Sequence, residues 1–157
     1  MEYPITTAVR DLREKGLNFV PHLYNYVEKG GTGESARQLG VDEHAVIKTL
    51  VFETNDKKSL IVLMHGDRQV STKNLARHLA VRSVEPATSE RANKFTGYQF
   101  GGTSPFGLKT QMPVYVEKTI FALDTIYING GKRGFLIEIE PKVLKEALEA
   151  IEVEVGI

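Results

Sequence analysis

The chain has 157 residues, of which 41% are hydrophobic, and its 20 basic and 20 acidic side chains give a formal net charge of zero. This length and composition fit one soluble globular domain that spans residues 1–157. A balanced charge argues against a protein that coats nucleic acid through bulk electrostatics, although a local basic patch could still grip one end of an RNA. The absence of cysteine excludes disulfides, thiolate metal sites and a cysteine nucleophile of the protein itself.

Neither a membrane span nor a targeting segment is predicted. No apolar run approaches the roughly 20 residues that a spanning helix needs. The first residues, Met-Glu-Tyr-Pro, lack the basic and apolar regions of a signal peptide. A cytoplasmic protein with no membrane partner is therefore the default expectation.

Helical periodicity recurs along the chain. The first pattern predicts a helix over about 6–15, followed by a strand over 19–27 and a flexible glycine turn at 30–33. Further helices are predicted at 34–39, 71–79 and 88–95, and a last helix, opened by Pro141 in its first turn, has an apolar stripe that reaches Ile151.

Two pairs of strands are predicted to form hairpins. The segments 45–52 and 59–65 flank a polar turn and are apolar on both faces, as is typical of central strands covered on both sides. The segments 124–129 and 135–140 flank a glycine-rich connection. Shorter strands are predicted at 81–84 and 113–116. Because strands and helices do not alternate strictly, the pattern favours an α+β fold over a doubly wound sheet.

The strongest functional signal is the stretch 98–107, Tyr-Gln-Phe-Gly-Gly-Thr-Ser-Pro-Phe-Gly. Glycine tolerates positive φ and the close approach of another group, and Pro105 keeps Ser104 out of the helical region. A loop constrained in this way can point several backbone N–H groups into one small space, which suits a carbonyl oxygen, an oxyanion or a phosphate. A tight surface turn is the alternative interpretation.

Two basic features could complete such a site. Lys48 lies within an apolar strand, where its ammonium must reach water, pair with an anion or lower its pKa. It either extends to solvent from the start of the strand or grips the phosphate or polar end of a substrate. Lys132 and Arg133 lie between Gly131 and Gly134 on a connection that is either a solvated turn or a phosphate clamp.

The remaining residues do not indicate a conventional catalytic group. The four histidines have no metal-ligand spacing, so no metal and no other cofactor is predicted. Ser104 lacks the Gly-x-Ser-x-Gly context of a hydrolase nucleophile. Tyr24 and Tyr98 could line a pocket or pack within strands. An enzyme with these residues would act by positioning and oxyanion stabilisation, and the substrate would supply the reactive group.

Three motifs follow one another along the chain. They are Val46-Ile-Lys-Thr-Leu50, Thr96-Gly-Tyr98 leading to Gly101-Gly-Thr-Ser-Pro-Phe-Gly107, and Ile126-Tyr127 leading to Gly130-Gly-Lys-Arg-Gly134. In this order they resemble the YbaK/EbsC family of free-standing aminoacyl-tRNA deacylases of the prolyl-tRNA editing type, and they are similar to the editing domain inserted in bacterial prolyl-tRNA synthetases. The resemblance implies a mixed, mostly antiparallel sheet curled into a partial barrel with surrounding helices.

The resemblance also implies an activity, namely hydrolytic editing of mischarged tRNA at its 3′ aminoacyl-adenosine end. The residues implied for catalysis are Lys48, Gly101, Gly102, Thr103, Ser104 and Pro105, and those implied for substrate binding are Tyr24, Tyr98, Gly131, Lys132 and Arg133. Backbone amides of the glycine loop would hold the aminoacyl carbonyl, and Lys48 would bind the terminal adenosine or its phosphate. The typical substrate is Cys-tRNA for proline, whose own thiol would attack the ester.

Two positions differ from the family pattern and leave alternatives open. Leu136 stands where an aspartate is expected and Asn129 where a serine is expected, so alanine or another small amino acid is an alternative to cysteine. A non-catalytic module that binds tRNA, a nucleotide or a protein is a second interpretation, and a small-molecule esterase is a third. Because zero net charge favours weak tRNA affinity, a partner such as prolyl-tRNA synthetase is expected to deliver the tRNA.

Overall fold

The computed structural model describes residues 2–157. Its elements are α1 Thr7–Glu14, β1 Val20–Leu23, α2 Gly31–Leu39, β2 Val46–Thr54, β3 Ser59–His65, α3 Thr72–Leu79, β4 Val84–Pro86, α4 Ser89–Thr96, β5 Val114–Glu117, β6 Ile126–Lys132, β7 Phe135–Ile139, α5 Val143–Ala147 and β8 Ala150–Val153. Two 3-10 helices, Glu43–Ala45 and Lys118–Ala122, precede β2 and follow β5.

One mixed sheet of eight strands forms the centre of the molecule. Its order is β1-β7-β6-β2-β3-β5-β8, and β4 pairs with β2. Four of the seven pairings are antiparallel and three are parallel. The order ends at β1 and β8, so the sheet is not closed. The predicted α+β class and the mixed, mostly antiparallel sheet are confirmed.

The β2–β3 hairpin lies at the middle of this sheet, as its apolar pattern predicted. In β3, Ile61 and Leu63 belong to the main buried cluster, whereas Val62 and Met64 belong to a second cluster. Successive residues of a strand point to opposite faces, so both faces are covered. Each fully buried side chain of this size contributes roughly 1.5–3 kcal/mol to folding. The hairpin is thus a rigid base for the residues that β2 carries.

Helix boundaries follow from capping residues. The side chains of Thr6, Ser71 and Thr88 each accept a hydrogen bond from the backbone N–H three residues further on, which begins α1, α3 and α4. Gly40 and Gly97 end α2 and α4 in the left-handed conformation. Of the helices in residues 2–157, none is long and apolar enough to cross a membrane.

Two predictions for the N-terminal part need correction. The first strand ends at Leu23 rather than at Val27. The glycine turn predicted at 30–33 is instead the first turn of α2, where the Glu34 N–H donates to the Gly30 carbonyl at 3.2 Å. The glycines therefore begin a helix, despite the cost of glycine within helices.

The prediction for the C-terminal segment was also wrong in part. The last helix ends at Ala147, and the predicted helical residue Ile151 lies in β8. The sequence Ile-Glu-Val-Glu-Val from Ile151 alternates with the period of a strand, and β8 pairs in parallel with β5. Val153 and Val155 are buried. Strand pairing and this burial outweigh the helical periodicity that overlaps the same stretch.

A buried carboxylate fastens the C-terminal segment. Glu117 is 5% exposed, and it accepts hydrogen bonds from the N–H groups of Val155 at 2.8 Å and Gly156 at 3.0 Å. The same segment pairs with the connection after β3, because Gln69 and Ile157 exchange backbone hydrogen bonds of 3.0 and 2.8 Å. The C-terminus thereby braces the connection that contacts Lys48.

Replacing Glu117 by alanine should lower the free energy of unfolding by about 1–3 kcal/mol, because two backbone donors lose a charged acceptor. Glu154→Ala is the matched control, since the exposed Glu154 carboxylate pairs with Lys118 at 2.9 Å, and an exposed ion pair contributes little. Urea denaturation of both variants measures the difference. Equal stability of the two variants would contradict the assigned role of Glu117.

Candidate functional site

A cavity of about 320 Å³ lies beside the first half of β2. Its wall combines the stretch after β1, the first turn of α2, strands β2, β6 and β7, and the glycine-rich loop. Among the lining residues are Tyr24, Lys48, Gly101, Thr103, Asn129 and Leu136. A larger depression of about 500 Å³ lies between residues 16–20 and α5, and it contains none of the motif residues. Size alone therefore does not identify the functional site.

The glycine-rich loop is pressed against the connection between β6 and β7. A Cβ on Gly102 would lie 2.7 Å from the Arg133 nitrogen and 2.9 Å from the Lys132 carbonyl carbon. Gly101 has a φ of +85°, and a Cβ there would lie 2.8 Å from the Tyr26 hydroxyl. Gly102 requires glycine because the backbone atoms it meets cannot move aside, and Gly101 favours glycine because of its positive φ.

Asn129 joins the two loops through its side-chain amide. Its Oδ1 accepts from the N–H groups of Gly131 at 2.6 Å and Lys132 at 3.1 Å. Its Nδ2 donates to the Gly101 carbonyl at 3.3 Å. One side chain thus shapes the irregular end of β6 and fixes the start of the glycine loop against it.

Arg133 makes a second link between the loops. Its Nε donates to the Phe100 carbonyl at 2.8 Å, and its guanidinium lies 4.9 Å from the centre of the Tyr26 ring. One of the five guanidinium N–H bonds is therefore used to hold the glycine loop, and the phosphate clamp stays a prediction. Gly131 and Arg133 support the glycine loop from outside the cavity wall, and the Lys132 side chain is exposed.

The N–H groups of the glycine loop are not equally available. The Gly102 N–H donates to the Gln99 carbonyl at 2.8 Å. Within residues 2–157, the N–H groups of Gly101 and Thr103 have no hydrogen-bond acceptor, and both residues line the cavity. Between Gly101 and Pro105, these two amides are therefore the candidates among the predicted backbone donors.

Tyr98, Ser104 and Pro105 lie behind the loop. Tyr98 is 5% exposed; its hydroxyl donates to the Phe106 carbonyl and accepts from the Thr7 hydroxyl, the latter at 2.9 Å. Ser104 is fully buried, and its Oγ accepts from the Phe106 N–H at 3.3 Å. These residues hold the loop in place, and none of them lines the cavity that would receive a substrate.

Lys48 lies at the rim of the cavity, where its Nζ donates to the Arg68 carbonyl. Partial burial lowers the pKa of this ammonium, and the nearby charges of Glu43 and Asp67 act in the opposite direction. An ammonium carries three N–H bonds, so two remain for a ligand. The structure thus combines both interpretations of the sequence: the side chain is anchored, and it also faces a cavity.

The histidines make local structural contacts. The His65 ring is fully buried and stacks on the His44 ring at 3.7 Å. Because a carbonyl can only accept, His65 Nδ1–H donates to the His44 carbonyl at 2.7 Å, and Nε2 accepts from the Thr119 hydroxyl at 2.7 Å. Burial lowers the pKa of His65, in agreement with this neutral ring. In residues 2–157 no group of three His, Cys, Asp or Glu could hold a metal ion.

Sequence reasoning missed several residues of the site. Tyr26 contacts Gly101, and it shares the strand parity of Tyr24, a signal that could have identified it. Phe100 lines the cavity immediately before the glycine pair. Thr32 and Ser35 line it from α2 and belong to no motif, because packing of the helix against the sheet brings them there.

Comparison with known proteins defines the class of this protein. A family model for aminoacyl-tRNA editing domains matches residues 29–147, and the chain belongs to this family. A candidate Cys-tRNA(Pro)/Cys-tRNA(Cys) deacylase of Enterococcus faecalis, EbsC, is 29% identical over 140 residues, which cover 88% of this chain and 85% of that protein. A proline–tRNA ligase of Ligilactobacillus salivarius is 31% identical over 102 residues, which cover 65% of this chain and 18% of the ligase.

Solved structures share the fold. A candidate trans-editing enzyme for prolyl-tRNA synthetase aligns with a TM-score of 0.86 at 21% identity, covering 100% of this chain and 99% of that one. A hypothetical protein, APE2540, aligns with a TM-score of 0.88 at 24% identity, covering 96% and 99%. The family expected from the three motifs is confirmed, and so is the fold it implied.

Replacing Gly102 by alanine should lower the free energy of unfolding by roughly 1–3 kcal/mol, because the added methyl group meets the backbone of Lys132 and Arg133. The amide resonances of residues 101–103 and 132–133 should move together. Thermal unfolding and amide NMR spectra measure both effects.

Gly33→Ala is the matched control for this variant. Its Cβ would approach nothing closer than the Glu43 carboxylate at 3.7 Å, and alanine favours the helix that contains it. A Gly102→Ala variant with the melting temperature and spectrum of the unmodified protein would show that the two loops do not depend on their contact.

Proposed function

We propose that this protein hydrolyses the ester bond of mischarged aminoacyl-tRNA in trans. Cys-tRNA for proline is the first candidate substrate, and alanine or another small amino acid is the alternative. One observation carries the proposal: Lys48, Gly101 and Thr103 line one cavity, and the amides of the two loop residues have no acceptor within residues 2–157, in a member of the editing family. The Enterococcus relative is named for the same reaction, the deacylation of Cys-tRNA.

The two free amides are suited to the carbonyl oxygen of the ester. Negative charge develops on this oxygen when a nucleophile attacks the carbonyl carbon, and donors fixed in advance stabilise that charge. The N–H groups of Gly101 and Thr103 are fixed by the packing of Gly102 and by the Asn129 bridge. Their contribution therefore needs no rearrangement of the loop during the reaction.

The substrate or water must supply the nucleophile. The Ser104 hydroxyl is buried behind the loop and the chain has no cysteine. With Cys-tRNA, the substrate's thiol sulfur would bond to the ester carbonyl carbon while the bond from that carbon to the tRNA 3′ oxygen breaks. The sulfur loses its proton and the leaving oxygen gains one, which gives a cyclic thiolactone and free tRNA. With Ala-tRNA, water takes the place of the thiol.

The wall around Leu136 suits a small, uncharged amino-acid side chain. Leu136 is buried and clusters with Ala36, Val46 and Tyr24. Burial also raises the pKa of the Tyr24 hydroxyl, which keeps it neutral. This apolar part of the wall favours cysteine or alanine over a charged amino acid, because an unpaired charge is costly to bury.

Lys48 is assigned to the phosphate or the ribose of the 3′ end. Its ammonium provides a positive charge at the rim of the cavity, although the formal net charge of the chain is zero. Electrostatic attraction to the rest of the tRNA is correspondingly weak. We therefore include prolyl-tRNA synthetase as a partner that delivers the tRNA, and we place the reaction in the cytoplasm, where aminoacyl-tRNA is made and used.

Deacylation time courses with Cys-, Ala- and Pro-tRNA for proline test the proposal. The unmodified protein should cleave at least one of them, and Lys48→Ala should reduce the rate by roughly tenfold or more, the usual effect of losing a charged contact. Lys58→Ala, at the exposed β2–β3 turn, is the matched control. If the protein binds all three tRNAs and cleaves none, the deacylase hypothesis fails in favour of the non-catalytic binding module.

The pH dependence of KM tests the charge on Lys48. A lysine is charged below its pKa, and burial has lowered the pKa of Lys48 from the ordinary 10.5. KM for the tRNA should therefore rise with pH before 10.5 is reached, after subtraction of spontaneous hydrolysis. Lys48→Arg keeps its charge and should shift this rise to higher pH. If KM has the same dependence on alkaline pH in both proteins, the Lys48 ammonium does not contribute to substrate binding.

A further inference from the structure

A second cavity adjoins the first along β2. Its volume is about 290 Å³. The residues that line both cavities, and so form a common wall, are Lys48, Thr49, Leu50, Phe100 and Thr103. From this wall the second cavity extends to Phe52, Ala87 and Ala92. The function proposed above uses only the first cavity.

Phe100 presents an exposed aromatic ring on the common wall. The residue is 60% exposed, so its ring is accessible to a ligand. Its carbonyl is held by Arg133 Nε at 2.8 Å, and the Gly102 N–H bonds back to Gln99 at 2.8 Å. The backbone beneath the ring is therefore fixed, and a flat ligand could cover the ring without ordering a mobile loop.

The remaining lining of the second cavity matches a nucleobase. Phe52, Ala87 and Ala92 give it apolar surface, and Gln69 and Ser89 add polar side chains. A base has apolar faces and polar edges, and stacking on an aromatic side chain is the usual way in which proteins bind an unpaired base.

We propose that the second cavity binds the terminal nucleobase of the tRNA acceptor end, stacked on Phe100. This assignment rests on the proposed function, which places the amino acid in the first cavity and the ester carbonyl at Gly101 and Thr103. The base and the amino acid are attached to different carbons of one ribose. A substrate of this shape needs two neighbouring cavities, with the ribose crossing the wall that they share beside Lys48.

An NMR titration tests base binding without requiring catalysis. The probe is the trinucleotide CpCpA, added to the isotope-labelled protein, with adenosine monophosphate as a parallel probe that separates an acceptor end from a free nucleotide. We expect CpCpA to shift the amide resonances of Ala87, Ser89 and Ala92. Phe100→Ala should weaken the binding by roughly tenfold, the usual effect of losing one stacked base, whereas Phe100→Trp should retain it.

Ile151→Ala is the control, because Ile151 is an exposed apolar residue on β8 outside both cavities. It should bind CpCpA like the unmodified protein. Shifts confined to the first cavity, no shifts, or equal binding by Phe100→Ala and the unmodified protein would overturn the assignment. If adenosine monophosphate binds more tightly than CpCpA, the ligand is a free nucleotide and not the tRNA acceptor end.

Kinetics separate this proposal from the proposed function. Phe100→Ala should lose about tenfold more activity on aminoacyl-tRNA than on the ethyl ester of the same amino acid, which has no base. Equal losses on both esters would assign Phe100 to the amino-acid cavity and overturn the base site. If the unmodified protein cleaves neither ester, the deacylase proposal fails, and the CpCpA shifts still decide whether the second cavity binds a base.

Discussion

The close contact between two glycine-containing loops is the constraint on which the site depends. Gly102 approaches the backbone of Lys132 and Arg133 more closely than any side chain would permit. Asn129 lies where the register between β6 and β7 shifts, and it joins both loops through three hydrogen bonds. This contact fixes the two free amides relative to β2, which carries Lys48. The donors are therefore arranged before a substrate arrives.

The sequence predicted each part of this arrangement separately. The glycines and Pro105 indicated a loop rich in backbone donors, and Lys48 was conspicuous as a charge within an apolar strand. Their meeting depends on the parallel pairing of β2 with β6, which no local pattern encodes. Asn129 could be recognised only as a departure from the family. In the structure its amide group both accepts and donates, and a serine hydroxyl is too short to replace all three of its bonds.

Other features could not be predicted because tertiary contacts decide them. Tyr98 was a candidate to line a pocket, yet its hydroxyl forms hydrogen bonds with Phe106 and Thr7 behind the loop. The strand character of the C-terminal segment became decisive only because the edge of β5 was available for pairing. The second cavity likewise needs α4, β4 and the glycine loop to meet above β2. The motifs thus indicated the candidate site, and packing determined which residues of each motif line the cavity.

A structure of the protein bound to a non-hydrolysable aminoacyl-adenosine, in which an amide replaces the ester, would test the central claim most directly. The account predicts that the aminoacyl carbonyl oxygen lies within hydrogen-bond distance, about 2.7–3.2 Å, of the N–H groups of Gly101 or Thr103. Lys48 would lie beside the ribose or its phosphate. A carbonyl oxygen bound elsewhere, with both amides still without an acceptor, would contradict the account.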